Sequence, residues 1–514
     1  MLPRMVLLCL IVALTAVTAT ALPGDEPPPW LVQAAASTAP GYDKDVPAVV
    51  LHHEQVVTVG SDGRLTTVVT YAVRFLTREG RYYATAGAPY LTNSSKIREM
   101  RAWMIPTDGK PIKYGKDRVI DSISDPNDIY NEYRVMLIDA ENDAEPGSVF
   151  GYQFTSEERP LFQQDIWRFQ SRLPTLLSRY RLVLPEGWKA SSVTFNRQKV
   201  EPSVNASTYT WELNNLPPIR PEAFSPNLIN LAPRIAINYF EADSALTTSK
   251  TFENWGQVSR WATYLHDPQA VPDANVTAKA RELTTNAKTD LERIRAIAQF
   301  VQRLQYISID VGIGKGNGYK PHAAPQVLAK SYGDCKDKAN LMRSMLQTLE
   351  ITSYPIAIYS GDPTFVREEW ASPNQFNHII IAVKVGDDIN LPTVIQHPTL
   401  GRLLIFDATD EHTPVGDLPD HEQGSLALII AGDAGTLTRM PVMPPESSQL
   451  DRQADVSLSA EGSITATIKE RSTGQSAVEE RRAFRKLSAG GYKQMIEAWI
   501  TQGATSARVS RVEP

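Results

Sequence analysis

The chain has 514 residues, a formal net charge of −6 and a hydrophobic share of 42%. At ~100–200 residues per domain, that length predicts about three domains, each able to bury its own core. The mild acidity supplies no basic footprint and excludes a nucleic-acid partner, and the hydrophobic share excludes a disordered chain.

The N-terminus carries Arg4, an apolar run from Met5 to Val17, and the small-residue sequence Ala19-Thr20-Ala21. These are the parts of a secretory signal peptide, here residues 1–21. The run is shorter than the ~20 apolar residues a bilayer requires, and Cys9 lies too far inside it to be read as a lipid-anchor cysteine. No later stretch is long enough to span a membrane. The mature chain is therefore expected to be exported and to have no transmembrane segment. Cleavage would leave Cys335 as the single cysteine, unable to form an internal disulfide. A lone thiol in an exported protein is either a buried core residue or a used one.

Residues 22–45 are rich in Pro, Ala, Gly and Asp and read as a flexible lead-in. From 46 to 240 short β-branched and aromatic runs alternate with turns, as at Gly60-Ser61-Asp62-Gly63 and Asp108-Gly109. The pattern predicts an antiparallel β-sandwich-like domain. His52 and His53 are adjacent, so a strand would point them to opposite faces. They are expected to be exposed strand histidines rather than a metal pair. No catalytic constellation is legible in this region.

Beyond residue 250 the periodicity becomes helical. "ENWGQVSRWATYLHD" and "VTAKARELTTNA" read as short helices, and Thr289 with Glu292 forms a capping box. Ile294, Ile297, Ala298, Val301 and Leu304 then mark one apolar face. The glycines at 312, 314, 316 and 318 lack the Gly-Lys-Ser/Thr ending of a phosphate loop, and are read as a mobile surface segment next to the site. In "YGDCKDKANLMRSMLQTLE", Ala339, Met342, Leu346 and Leu349 form a helical stripe that Cys335 joins at the first turn. Asp334 is the expected N-cap. The unpaired N–H groups of a helix start favour an anion such as a thiolate. Asp334 and Asp337 oppose it, so a basic partner is required.

His378 opens the β-branched run "HIIIAVKV", and "LLIFD" ends at Asp407. In an antiparallel pair the start of one strand lies beside the end of the next, which makes His378 and Asp407 neighbours. A Cys–His–acid set needs this arrangement: a base for the thiol, and a carboxylate that orients and supports the ring. His322, on the loop before the Cys335 helix, is the rival base.

"YGDCKDKANLMRSMLQTLEI", "FNHIIIAV" and "FDATD" resemble the three catalytic segments of the transglutaminase-like superfamily. The closer resemblance is to exported bacterial members in which a β-rich domain of unknown function comes first. It spans roughly residues 250–432. It implies a papain-like α+β core, helices packed on an antiparallel sheet, with Cys335 as nucleophile, His378 as base and Asp407 as orienting acid. It also implies a location in the periplasm or outside the cell. Animal crosslinking members have tryptophan directly after the cysteine, where Lys336 stands here. The reading therefore favours a peptidase or amidase working through a Cys thioester over protein crosslinking. Its partner would be a protein or peptide, cell-wall peptide included, and no cofactor or metal set is read. The alternative is a non-catalytic binding or scaffolding protein that retains the fold. Residues 446–514 return to alternating strands followed by helix and then what looks like a strand near the end. They are expected to form a small C-terminal α+β region, either whole or incomplete, in an α+β multidomain chain.

Overall fold

The computed structural model describes residues 26–124, 130–242, 251–310, 317–504 and 506–513. The signal-peptide reading, and residues 311–316 of the Gly-rich segment, lie outside the described residues.

The β-rich region is organised by an eight-stranded sheet. Its order is Ser203–Asn205, Thr208–Leu216, Thr175–Val183, Ala48–Val59, Leu65–Phe75, Val149–Glu158, Ser95–Ile105 and Ile112–Tyr114. Both expected turns form, with Gly63 and Gly109 at φ of +74° and +94°, where a side chain would be strained. One pairing departs from the antiparallel expectation. Ala48–Val59 runs parallel to Thr175–Val183, with Val50 opposite Thr175. The long intervening chain supplies the crossover that parallel strands need. Two three-stranded sheets accompany it, Gln164–Arg168, Arg234–Glu241 and Trp188–Phe195, and Thr85–Leu91, Tyr133–Asp139 and Ile120–Ile123, and Tyr130–Asn131 pairs in parallel with Ile309–Asp310.

The two histidines are not exposed as expected. His52 is half-buried, bonds to Thr70 Oγ1 at 2.9 Å and lies 5.3 Å from the Trp30 ring. His53 packs on the opposite face against Tyr71 and Trp167, with centroids 5.3 and 4.3 Å away. Burial, aided by His52, pushes the His53 ring down to about 3. The period-2 rule separated the two rings correctly, but the aromatic layers over both faces could not be seen from it.

The second region is a six-stranded sheet with helices on one side. Its order is Val394–His397, Gly401–Phe406, His378–Lys384, Ser353–Ile358, Leu426–Ile429 and Leu437–Arg439, every pair antiparallel. Strand alternation divides its core into two faces. Ile381, Val383, Leu404 and Phe406 face the helices, while Ile380, Ala382, Leu403 and Ile405 face the other layer. The helix Cys335–Gln347 lies in the middle of the first cluster. Its Leu341, Met342, Met345 and Leu346 are fully buried, and each such side chain contributes about 1.5–3 kcal/mol. The capping box at Thr289 and Glu292 forms as read, starting the helix Asp290–Gln302.

The two regions dock through specific polar contacts. Trp370 Nε1–H donates to Asn238 at 2.9 Å, Arg367 donates to Asn196 at 2.7 Å, and Asn227 and Asn230 donate to Asp362 at 2.8 and 2.7 Å. Phe162 of the first region meets Trp261 and Tyr319 of the second at 5.3 and 5.6 Å. The C-terminal region is a hairpin, Leu450–Leu458 with Ile464–Ser472, followed by the helices Gly474–Lys486 and Ala489–Gly503. The strand expected near the end does not form, since residues 506–513 hold no ladder. Among the described residues no helix is long and apolar enough to cross a membrane.

Candidate active site

The helix carrying Cys335 begins where the sequence places it. Asp334 is its N-cap, and its side chain accepts the N–H of Asp337 at 3.2 Å. Gly333 is required by close approach, since a Cβ there would stand 2.6 Å from the Cβ of Asp337. Cys335 is the first helical residue, a half-buried free thiol. The helix start leaves its first backbone N–H groups without intrahelical partners and directs them outward.

His378 is the first residue of its strand, and Asp407 directly follows Phe406, the last of the neighbouring strand. Ile381 pairs with Phe406, so the antiparallel register brings the two functional ends together. Asp407 Oδ2 lies 3.4 Å from His378 Nε2. Thr409 fixes the carboxylate, donating its backbone N–H and its hydroxyl to Oδ1, each at 2.7 Å. Burial alone would push the His378 ring down. The Asp407 carboxylate, aided by the Cys335 sulfur, outweighs burial and holds the ring well above its ordinary value. Burial would raise Asp407, but His378 and Thr409 hold it below the usual carboxylate range.

Residues 277–387 match the family model described as the transglutaminase-like superfamily. The chain carries a transglutaminase-like domain. Residues 61–220 match a domain of unknown function with solved structure, DUF3857. Cys335 and His378 fall inside the transglutaminase-like match and Asp407 beyond it, so the aspartate is placed by the sheet register. A solved structure from Parabacteroides distasonis ATCC 8503, named a "putative protease", is 15% identical over 80% of this chain and 78% of that one, with a TM-score of 0.57. That similarity is one of fold. A Cytophaga hutchinsonii structure named a "putative cysteine protease" is 10% identical over 83% of this chain and 92% of that one, but its TM-score of 0.21 carries no argument. No curated protein matches the sequence.

Within the transglutaminase-like domain, the string Gly-Asp-Cys-Lys-Asp-Lys has a physical reason at each position. Each of the two aspartates has a partner. Lys336 Nζ donates to Asp334, and His322 donates to Asp337. Burial works to lower the Lys336 ammonium, but Asp334 and the Cys335 sulfur hold it above its ordinary value. A cation therefore stands beside the sulfur. Lys338 is 1% exposed and donates to the Gln302 and Leu304 carbonyls at 3.2 and 3.1 Å. It caps the end of the helix Asp290–Gln302 and ties the Cys335 helix to it.

His322 takes no part in the Cys335 cluster. Its Nδ1 lies 3.0 Å from Asp337 Oδ2, and its backbone N–H donates to Oδ1 at 2.7 Å. Cys335 and His378 instead line a cavity of about 400 Å³, walled by Trp261, Tyr306, Tyr319 and Phe376. Gly318 of the Gly-rich segment also lines it. Tyr133, from the DUF3857 region, reaches the same cavity, a contribution with no signal in its own sequence neighbourhood. His266 lines it too, buried at the end of its helix. Burial, with the charges of Arg343 and Lys336, holds its ring down to about 3 and keeps it neutral.

The sequence reading also missed Glu422. It lies on the turn before Leu426–Ile429, in a charged string, "DHEQG", that looks like a solvated loop. Its side chain is fully buried, with Oε1 3.5 Å from His378 Nε2. One atom each of His378, Asp407 and Glu422 lies within 4.8 Å of the others. That spacing suits a metal site or a proton-sharing cluster. The His378 ring and the Glu422 carboxyl are held above their ordinary values and Asp407 below its own, directions that fit a set sharing protons.

Proposed function

We propose that this protein is an exported thiol hydrolase that cleaves amide bonds through a Cys335 thioester. The observation that carries the reading is the position of His378, held between the Cys335 thiol and the Asp407 carboxylate at one wall of a cavity. With the proton on the ring, the Cys335 thiolate attacks the amide carbonyl carbon and the carbonyl π electrons move to oxygen. The resulting oxyanion faces the N-terminus of the Cys335 helix, where the Cys335 backbone N–H is the donor at hand. Collapse breaks the C–N bond as the imidazolium gives its proton to the leaving nitrogen. An amine departs and a thioester remains. The neutral ring then takes a proton from water, and the hydroxide attacks the thioester carbonyl. A carboxylic acid leaves, and the thiolate–imidazolium pair is restored.

Hydrolysis is favoured over crosslinking because a charged, buried Lys336 follows the nucleophile and is paired to Asp334. The aromatic cavity wall favours a peptide acyl donor with a bulky apolar side chain. The N-terminal region would then help to select it through Tyr133. The periplasm or the extracellular space is the proposed location. The test is incubation with a peptide library and mass spectrometry of the products, with Cys335→Ala as control. Cleavage after bulky apolar residues, with a Cys335 acyl adduct, is the expected result. Products that form equally with Cys335→Ala would overturn the thioester route.

A further inference from the structure

Glu422 has no role in the Cys–His–Asp chemistry above, yet it is the most deeply buried charged-type side chain touching it. Its side chain is fully inaccessible, and neither carboxyl oxygen has a hydrogen-bond donor. An ionised carboxylate placed so would lack water and any hydrogen-bond donor, and would have to share the His378 ring with Asp407, a costly state. Its Oε1 and Asp407 Oδ2 stand 3.5 and 3.4 Å from the same ring nitrogen, His378 Nε2. Two carboxyl groups that close cannot both ionise, and one must keep a proton.

The hydrogen bonds decide which one. Asp407 accepts from the Thr409 N–H, the Thr409 hydroxyl and the His378 ring. Three donors stabilise an anion. Glu422 accepts from none, so the proton belongs to Glu422, and its O–H needs an acceptor. Asp407 is the neighbour that can accept it. The backbone holds this geometry. The Glu422 N–H donates to Pro419 at 3.0 Å, and Gln423 Nε2 ties the turn to the Leu418 carbonyl at 2.9 Å.

We propose that Glu422 is a positioning residue that stays protonated at neutral pH and donates its O–H to Asp407, holding that carboxylate against the His378 ring. It touches neither thiol nor substrate and acts through Asp407. The charged groups around it are His378 from its strand, and Asp407 and Asp410 from the segment after the neighbouring strand. Asp410 is paired with Arg482 at 3.4 Å, which leaves Asp407 as the acceptor for the Glu422 proton. Burial and the negative charge of Asp407 both hold the Glu422 carboxyl well above the usual carboxylate range. A glutamine there keeps the size, the neutrality and one N–H donor. An alanine removes the donor and leaves space for Asp407 to turn away.

The inference rests on the His378–Asp407 relay proposed above, so its readouts need no substrate. Infrared spectra of the full chain should show a protonated-carboxyl band at neutral pH that disappears in Glu422→Gln. The pH dependence of Cys335 alkylation by iodoacetamide, and the NMR titration of the His378 ring, report the relay. Glu422→Gln should leave both close to the parent protein. Glu422→Ala should lower the His378 midpoint by about one pH unit, and alkylation at neutral pH about tenfold. An ionised Glu422 in the infrared spectrum, or a His378 midpoint that falls as far in Glu422→Gln as in Glu422→Ala, overturns the proposal, because the negative charge would then be what matters. If the peptide library yields no cleavage while the band and the titrations behave as stated, the hydrolase reading fails and the positioning role stands.

Discussion

Of the histidine–aspartate pairs among the described residues of the transglutaminase-like domain, two lie close to Cys335. His322 and Asp337 are 3.0 Å apart, and His378 and Asp407 are 3.4 Å apart. Distance alone would choose the first pair. Burial and position choose the second. The His322 side chain is 42% exposed, and its aspartate also accepts the His322 backbone N–H. That pair is a clamp fastening the preceding loop to the helix. The His378 side chain is 13% exposed, meets the Cys335 thiol and lines the cavity. A short histidine–carboxylate contact can be a structural bond, and the position of the Cys335 thiol sets the two pairs apart.

The largest effect should come from the atom the second pair serves. Cys335→Ala is expected to abolish turnover while the protein still folds. Removing one sulfur is small beside a domain stability of ~5–15 kcal/mol. Circular dichroism and a turnover assay on the same sample check both halves. Next, His378→Ala should lose the ~10²–10⁴-fold that a positioned acid–base group contributes, along with activation of the thiol. His322→Ala should change turnover by less than about tenfold. If the two variants exchange places in the kinetics, the clamp and the relay have been misassigned.

Asp407→Asn keeps a hydrogen-bonding group beside the ring but removes the charge that supports the imidazolium. By analogy with other triads it should cost up to ~10⁴-fold in turnover, with partial iodoacetamide reactivity left at Cys335. Its pH profile carries a sign. The His378 ring is held above its ordinary value, so it stays protonated until the pH climbs through that raised value. Proton donation to the leaving group should persist to a higher pH than an ordinary histidine permits, and Asp407→Asn should pull the alkaline fall downward. The same linkage gives His378 a stabilising contribution that is full at low pH and fades as pH rises through the raised value. Asp407 is held low, and its contribution fades as pH falls through its depressed value. The smallest effect on turnover belongs to the clamp. Asp337→Ala leaves the His322 N–H without its acceptor and should cost about 1–3 kcal/mol in denaturant melts, with turnover near that of the parent protein.

The helix start at Cys335, the strand start at His378 and the strand end before Asp407 were each legible in the sequence. Local rules set them: Asp334 caps the helix, and β-branched runs mark the strands. Their meeting followed from one further step, the antiparallel pairing of adjacent strands. The charge balance around the thiol was legible only in part. Two aspartates were visible, but their pairing with Lys336 and His322 depends on side-chain directions in space. His52 and His53 were separated by the period-2 rule and then misjudged as exposed, because the rings that cover them come from Trp30, Tyr71 and Trp167 on other segments.

What the sequence by itself determined is local: the caps, the turns, the apolar stripes and the residue types able to act at the ends of three elements. These follow from backbone sterics and short-range hydrogen bonds, which neighbouring residues set. What only the tertiary structure decided is which carboxyls converge. Glu422 sits in a string of charged residues that reads as solvated. Its burial against His378 and Asp407 arises because the strand Leu426–Ile429 pairs with Ser353–Ile358 and carries the preceding turn under the site. The Tyr133 wall of the cavity is decided in the same way, by the docking of the N-terminal region on the transglutaminase-like domain. Burial and proton sharing are properties of packed surfaces, and a residue far away in the chain sets them as readily as a neighbour.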